Sequence, residues 1–295
     1  MKSEIREIIT DIKAAVHVGL EETLWLSLDA LLDLPEVSGN PKMEESFILQ
    51  VILPIGETLA TSNLTVDQLK AISKNSYAAF RSISAVALTF RYFSTDGELL
   101  RDLEGFIQDP RRDVRSSLSI SAAKFGTNDQ TKYKNLIDQF IQRNSPNSIS
   151  VAISLLPTVA DEYPNMAFAY LAQIPFSNDN ELRRVFSEAL TSIAQAGQGN
   201  GVLDLMNKLE NRKEDYLWII TKSLSSSWAI EYPEKTFVIL KNLTKKYQSH
   251  KLIRNAIKAF IRHGDTEVVD LQLSTWKADS NEHLRMVAEE YISKD

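Results

Sequence analysis

The chain contains no cysteine, which excludes disulfide bonds, thiolate metal sites and cysteine nucleophiles. Glycine and proline are also scarce, with ten and nine in 295 residues. That is too few for a disordered chain or for a protein of short strands and turns. No apolar run approaches the roughly 20 residues that span a bilayer. The charged, amphipathic N-terminus lacks the unbroken apolar stretch of a signal peptide. We therefore expect a cytoplasmic protein without a membrane-spanning segment.

Charge is unevenly distributed along the sequence. The formal net charge is −6, which argues weakly against nucleic-acid binding. Residues 1–70 hold five basic and twelve acidic side chains, a net of −7, whereas residues 181–264 hold fourteen basic and eight acidic ones, a net of +6. An asymmetry of this kind is typical of an interaction surface.

No motif in the sequence carries chemistry by itself. The four histidines are scattered without the spacing of metal ligands, at His17, His250, His263 and His283. The glycine-rich segment 197–201 lacks both the lysine and the preceding strand of a phosphate-binding loop, so it predicts a turn. We therefore predict no catalytic residue, no metal ligand and no cofactor, and we do not expect an enzyme.

Apolar residues recur at helical spacing along most of the chain. Residues 109–126 are the clearest example of one repeat unit. Asp109 and Pro110 predict a helix start, because aspartate caps backbone N–H groups and proline fits the first helical position. Gly126 predicts a left-handed helix end. Between these ends, apolar residues recur on one helix face, at Val114, Leu118, Ala122 and Phe125. Similar patterns predict helices over 2–18, 21–34, 43–60 with a kink at Pro54, and 214–231.

An apolar residue followed by arginine recurs at intervals of about 34 residues or twice that. The pairs are Phe80-Arg81, Val114-Arg115, Leu182-Arg183, Ile253-Arg254 and Leu284-Arg285. In two copies an acid lies six residues before the arginine, with Asp109 before Arg115 and Asp279 before Arg285. A Glu-Tyr-Pro sequence also occurs twice, at 162–164 and 231–233. A fixed period of helix pairs is the signature of a solenoid.

These residues resemble the HEAT repeat, whose second helix carries a similar Asp-Pro, Val-Arg, Ala-Ala and Gly pattern, over roughly residues 75–295. The resemblance implies an all-α fold, a right-handed α-solenoid (superhelix) of HEAT-like helix pairs. Residues 1–73 would be an atypical N-terminal helical cap and residues 74–295 the repeats. In that family Asp and Arg form a ladder between repeats, which implies this role for Arg81, Asp109, Arg115, Asp279 and Arg285. The arginines could alternatively form a phosphate-binding stripe.

Residues 216–272 are also similar to one HEAT-like family, the bacterial alkylpurine DNA glycosylases of DNA alkylation repair. The similarity rests on IITKSLSSSWAIEYPEKTFVIL and LIRNAIKAFIRHGDTEVVDL, which include the sequence 253–256 and the basic-Gly-Asp turn 262–265. That family's solenoid cradles DNA on a basic concave face, which implies a backbone contact for Arg254. No Trp-Trp-Asp-like motif occurs here, so no catalytic residue is carried over.

Two functions follow as alternatives. The first is a non-catalytic HEAT-like repeat scaffold that binds a protein partner on its concave face. The second is a DNA-binding or DNA-repair protein, glycosylase-like if it is an enzyme, that uses basic residues of 181–264 on phosphates. Its candidate binding surface is Arg183, Arg184, Lys222, Arg254 and Lys258. The four tryptophans could stack on bases, but their helical spacing favours the core, for Trp25, Trp218, Trp228 and Trp276. The sequence leaves the oligomeric state open.

Overall fold

A computed structural model of the chain describes residues 2–95, 99–174, 179–210, 216–248, 251–263 and 266–292. These residues are predominantly helical, and no strand occurs among them. The predicted all-α class is therefore confirmed. The chain divides into two compact units, Met1–Leu155 and Leu156–Asp295. The predicted boundary between residues 73 and 74 concerns the type of repeat and stays a prediction.

The first unit is built from two layers of helices. The helices α4, α6 and α8 pack side by side, while α5, α7 and α9 lie against them. Ion pairs connect α5, α7 and the end of α9, since Lys70 contacts Asp102 at 2.7 Å and Arg143 Nε donates to Glu104 at 3.0 Å. The helices are α1 (Ser3–Val18), α2 (Glu21–Asp29), α3 (Glu45–Phe47), α4 (Leu53–Ala60), α5 (Val66–Ser73), α6 (Ala78–Ser94), α7 (Leu100–Ile107), α8 (Arg112–Gly126), α9 (Gln130–Gln142) and α10 (Pro146–Glu162), which continues past Leu155.

The second unit repeats this arrangement, because each helix contacts the next but one. One layer contains α12, α14 and α16, and the other contains α11, α13, α15 and α17, with α18 packed on α15 and α17. The helices are α11 (Pro164–Gln173), α12 (Asn180–Ile193), α13 (Gly199–Leu209), α14 (Tyr216–Leu224), α15 (Pro233–Tyr247), α16 (Lys251–His263), α17 (Thr266–Lys277) and α18 (Glu282–Ile292).

Small hydroxyl side chains join neighbouring helices within a layer. In the first unit, Ser154 of α10 donates to Ser119 of α8 at 2.8 Å. In the second unit, the hydroxyl oxygens of Thr191 and Ser223 lie 3.0 Å apart, between α12 and α14. These pairs are separated by 35 and 32 residues. The two helices that each pair joins are therefore separated in sequence by nearly the interval of the sequence repeat.

The predicted helix over 214–231 was too long at its C-terminal end. Helix α14 stops at Leu224, and a separate 3-10 turn covers Ser227–Glu231. Ser225 donates its hydroxyl to the Thr221 carbonyl at 2.7 Å. Such hydroxyls compete with the helical ladder for backbone groups. Residues 214 and 215 lie outside the described residues.

The first and last residues of α8 also differ from the prediction. Asp109 accepts a hydrogen bond from the Arg111 N–H at 2.8 Å, and this turn places Pro110 ahead of the helix, which begins at Arg112. Gly126 is the last helical residue and does not adopt a left-handed conformation. A Cβ there would lie 2.1 Å from Cδ2 of Tyr133, so glycine is required for close packing of an aromatic ring.

Two further breaks in the helices have local causes. Pro54 has no N–H to donate, and the preceding stretch Ile48–Ile52 is π-helical, which accommodates the missing hydrogen bond. The predicted turn over 197–201 is shorter than expected, because α13 already begins at Gly199. A Cβ on Gly199 would lie 2.3 Å from the ring of Tyr232, so the second Glu-Tyr-Pro sequence packs against this turn.

Candidate binding surface

In the part of the chain that the structure describes, three copies of one local structure occur, before helices α6, α8 and α18. In each, an Asn or Asp side chain accepts a hydrogen bond from the backbone N–H two residues later, at 2.8 to 3.0 Å. An arginine six residues later then donates to the carbonyl oxygen of that Asn or Asp, at 2.7 to 3.1 Å. We call this the Asx–Arg motif. Its copies are Asn75/Arg81, Asp109/Arg115 and Asp279/Arg285.

The spacing of the motif matches the repeat in the sequence. The second copy begins 34 residues after the first, and the third begins 170 residues after the second, which is five times 34. Each arginine satisfies a carbonyl group at the entrance to a helix, where the helical ladder provides no donor. A charged donor makes such a hydrogen bond stronger than a neutral one. The motif therefore fixes how the chain enters the helix.

A two-pronged ion pair connects the first two copies of the motif. Arg81 Nε donates to Asp109 Oδ2 at 2.6 Å, and its Nη2 donates to Oδ1 at 3.2 Å. Both side chains are largely buried, with 15% and 8% of their surface exposed. The two N–H groups of the planar guanidinium face the two oxygens of the carboxylate, so the pair fixes the relative orientation of the two side chains. In this way α6 is joined to the entrance of α8.

At the third copy of the motif, lysines take the place of the arginine that contacts the carboxylate. Lys241 and Lys245 of α15 lie 2.9 and 3.3 Å from Asp279 Oδ2. The hydrogen bond from Lys241 and that from the Asn281 N–H hold the pKa of Asp279 well below its ordinary value. A cation from a neighbouring helix thus contacts the motif's carboxylate in both copies that have one.

This arrangement predicts that Asp279 stabilises the fold at neutral pH and that this stabilisation is lost in acid. An ordinary Asp has a pKa of about 3.9 when unfolded. Because the folded pKa is lower, the stabilisation is present above pH ~4 and is lost as the pH falls through the folded pKa. We expect the thermal midpoint of the natural chain to fall more steeply between pH ~5 and ~2.5 than that of Asp279→Asn. Thermal melts by circular dichroism measure this, with the exposed Asp270→Asn as control. Parallel curves for all three proteins would contradict it.

A second polar cluster attaches a loop to the start of α8. Arg111 donates to both carboxylate oxygens of Asp113, at 3.1 and 2.7 Å, and to the carbonyls of Asn40 and Pro41, at 2.9 and 2.6 Å. The Met43 N–H donates to Asp113 Oδ2 at 3.0 Å. Burial raises the pKa of Asp113, but the hydrogen bonds from Arg111 and Met43 outweigh it, and the pKa is lowered.

The five predicted surface residues lie on one layer of the second unit. Arg183 and Arg184 belong to α12, Lys222 to α14, and Arg254 and Lys258 to α16. Helix α14 packs between the other two. The structure therefore places residues that are up to 75 positions apart in sequence on consecutive helices of one layer.

Two of these arginines have carboxylate partners. Arg184 contacts Glu188 one turn later, at 2.6 Å. Arg254 contacts Glu290 of α18 at 3.0 Å. These pairs neutralise part of the positive charge on which phosphate binding would depend.

Two of the five residues are exposed cations. Lys222 and Lys258 are exposed, and neither forms an ion pair with the part of the chain that the structure describes. They lie on the adjacent helices α14 and α16. They are therefore the members of the predicted surface that are most accessible to a ligand.

Two tryptophans lie in the core of the second unit. Trp228 and Trp276 are 2% and 1% exposed. The ring of Trp276 meets Phe237 edge to face at 5.5 Å, and Phe237 meets Phe260 at 5.0 Å. Both indoles are thereby inaccessible for stacking on a nucleic-acid base. Trp25 and Trp218 are partly exposed.

Sequence reasoning missed two polar features. Asn75 belongs to the same motif as Asp109 and Asp279, but it is not an acid, so the pattern of an acid six residues before Arg does not include it. The wider pattern of either Asn or Asp six residues before Arg does. The contacts of Arg111 with the carbonyls of Asn40 and Pro41 join positions 71 and 70 residues apart, and these positions belong to none of the motifs found in the sequence.

The titratable groups form no metal cluster in the described ranges, where no set of three or more His, Asp or Glu residues is placed to hold an ion. Of the helices described, none combines the length and apolar character needed to cross a bilayer. Comparison with known proteins found no matching family model, no matching curated protein and no matching solved structure.

Proposed function

We propose that this chain is a HEAT-like α-solenoid whose function is to bind a protein partner without catalysing a reaction. The recurrence of the Asx–Arg motif at multiples of 34 residues carries the proposal. Packing of helices against the next but one, for α4, α6 and α8 in the first unit and for α11 to α17 in the second, supports it. In a stacked repeat each unit contacts only its neighbours, and the stack offers an extended binding surface.

The use of the repeat arginines supports a scaffold over a phosphate-binding stripe. Arg81, Arg115 and Arg285 all donate to backbone carbonyls at helix entrances. Arg81 also contacts Asp109 through two hydrogen bonds. A guanidinium held in this way stabilises the fold and is not available to a ligand. Binding would then depend on other side chains at the surface of the solenoid.

Scattering in solution tests the stacked architecture. A compact 295-residue domain has a radius of gyration of about 19 Å. A solenoid is elongated, so small-angle X-ray scattering of the monomer is expected to give a clearly larger value. A radius near 19 Å would contradict the solenoid.

Affinity capture tests the binding function. The tagged full chain would be crosslinked in lysate of its source, with and without nuclease treatment. We expect a protein to be captured in stoichiometric amount in both arms, and the purified pair to reconstitute with a Kd in the micromolar range or tighter. Loss of all captured protein after nuclease treatment would contradict a protein-binding scaffold and favour nucleic acid.

The exposed lysines on α14 and α16 favour a second candidate, DNA binding of the alkylpurine glycosylase type. Lys222 and Lys258 would contact phosphates there. Affinity that depends on phosphate contacts falls steeply with salt, because counterions are released on binding. Under this alternative, reversing both charges weakens DNA binding, whereas Lys208→Glu, an exposed lysine of α13 in the other layer, does not.

A further inference from the structure

Helix α10 crosses the boundary between the two compact units. The first unit ends at Leu155 and the second begins at Leu156, whereas the helix runs from Pro146 to Glu162. A stiff helix across such a boundary would hold the two units as one body. The local strength of α10 near residue 155 therefore decides whether they move independently.

Pro157 weakens the helix at this boundary. It lies inside α10, as the second residue of the second unit. Proline has no N–H, so the carbonyl of Ile153, four residues earlier, lacks its helical donor, and the proline ring crowds that carbonyl. Proline is one of the few local causes of a sharp bend in a helix.

Ser154 weakens the same turn of the helix. Its hydroxyl donates to the Val151 carbonyl at 2.7 Å, and a side chain that bonds back to the helix in this way favours bending. Ser154, Pro157 and Thr158 share one helix face, and they are the partly exposed members of the otherwise buried stretch 148–160. The hydrogen bonds of α10 can therefore lengthen on the side that already meets solvent.

Hydrogen bonds hold α10 to the first unit up to the boundary. Ser154 donates to Ser119 of α8 at 2.8 Å, and Tyr133 of α9 donates its hydroxyl to the Leu155 carbonyl at 3.0 Å. Pro157 follows two residues after this second contact. The part of the helix that is fixed to the first unit thus meets the weakened turn directly.

We propose that α10 is a hinge that bends at residues 153–157, about which the two compact units move as separate bodies. Hinge motions of this kind take microseconds to milliseconds. The chain then exists as a set of conformers that differ in the bend of α10. The hinge depends on this helix and on the boundary between the units alone, so it holds for a protein ligand and for a DNA ligand alike.

Distances between spin labels on the full chain test the hinge. The chain has no cysteine, so labels attach only at introduced ones. Lys134→Cys/Ser192→Cys places one exposed label in each unit, on α9 and α12, and Lys134→Cys/Asp67→Cys places both in the first unit, on α9 and α5. Double electron–electron resonance in frozen solution records the distances among the trapped conformers. The pair across the units is expected to give a clearly broader distribution than the pair within one unit.

Proline variants of the labelled chain locate the bend. Pro157→Ala is expected to narrow the distribution across the units towards that of the pair within one unit, because alanine restores the donor to the Ile153 carbonyl and removes the ring. Pro146→Ala is the matched control. Pro146 is the first residue of the same helix, where no N–H is needed, so this variant should leave the width unchanged. Circular dichroism confirms that each variant is folded.

Two results would overturn the hinge. The first is a distribution across the units that is as narrow as the one within the first unit when both prolines are present, a comparison that needs no proline variant. The second is a broad distribution across the units whose width Pro157→Ala leaves as unchanged as Pro146→Ala does, since the motion would then lie outside α10.

Discussion

Replacing Asp113 by alanine is expected to destabilise the protein by about 2–3 kcal/mol, because it removes a buried carboxylate that accepts charged hydrogen bonds from Arg111 and one from the Met43 N–H. Asp113 is 4% exposed and accepts hydrogen bonds from Arg111 and from the Met43 N–H. Its removal leaves the Arg111 guanidinium with backbone carbonyls alone and leaves the Met43 N–H without an acceptor. The loop at residues 40–43 should then detach from α8.

Urea unfolding followed by circular dichroism measures this effect. Asp113→Asn serves as the conservative variant, because it keeps an acceptor oxygen of similar shape and loses the charge; about half the destabilisation is expected. The exposed Asp33→Ala is the control, and it should change the unfolding free energy by about 0.5 kcal/mol or less. A loss for Asp113→Ala no larger than the control's would show that the cluster does not stabilise the fold.

Trp276→Ala is expected to cost about 3–5 kcal/mol, since it removes the largest buried side chain between α15, α16 and α17. The indole is 1% exposed and contacts Phe237, which in turn contacts Phe260. The surrounding rings cannot collapse fully into the space, so a cavity remains. Trp276→Phe should recover part of the loss, because a ring still fills the edge-to-face position.

The matched control is Trp25→Ala on α2. That indole is partly exposed, and its Nε1 donates to the exposed Glu21 at 3.3 Å, so its loss should cost about 1 kcal/mol or less. Chemical unfolding of the three variants measures the difference. Equal losses for Trp276→Ala and Trp25→Ala would contradict the core role of Trp276 and reopen the interpretation that this tryptophan serves a ligand.

The helices themselves could be predicted from the sequence, because apolar periodicity determines which face each one buries. Phe80-Arg81 and Val114-Arg115 show why the repeat could also be found. At the entrances of α6, α8 and α18 an arginine in the equivalent position satisfies the equivalent carbonyl, so the spacing of these arginines in sequence follows the spacing of the three helices. Arg81 and Asp109 lie within hydrogen-bond distance, and the ladder between repeats stays a prediction.

The ends of the helices were harder to predict, since side chains compete locally for backbone groups. Asp109 forms a turn with Arg111 and delays the helix, and Ser225 helps to end α14 early. Gly126 was interpreted as a helix cap, but its role depends on Tyr133, a residue that approaches only in the folded chain. Contacts of this kind follow from tertiary packing and leave no local pattern.

The positions of the candidate residues were predictable in part, and their role as a binding surface stays a prediction. Charge counts indicated the basic region, and the fold places its five residues on α12, α14 and α16. The partners of Arg184 and Arg254 were not predicted. Glu188 is one helical turn from Arg184, but many such pairs occur by chance, and Glu290 is brought to Arg254 by the packing of α18. Only the structure therefore separates the paired arginines from the exposed lysines.

Titration of a labelled DNA duplex, plain and with an abasic-site mimic, tests the central claim most directly. Fluorescence anisotropy would be measured in about 50 mM and 150 mM salt, for the natural chain, for Lys222→Glu/Lys258→Glu and for the control Lys208→Glu. A protein-binding scaffold predicts at most weak binding at the lower salt, no preference for the lesion, and no difference between the variants. Micromolar binding that prefers the lesion, weakens steeply with salt and is lost only in Lys222→Glu/Lys258→Glu would contradict the scaffold and establish DNA as the ligand.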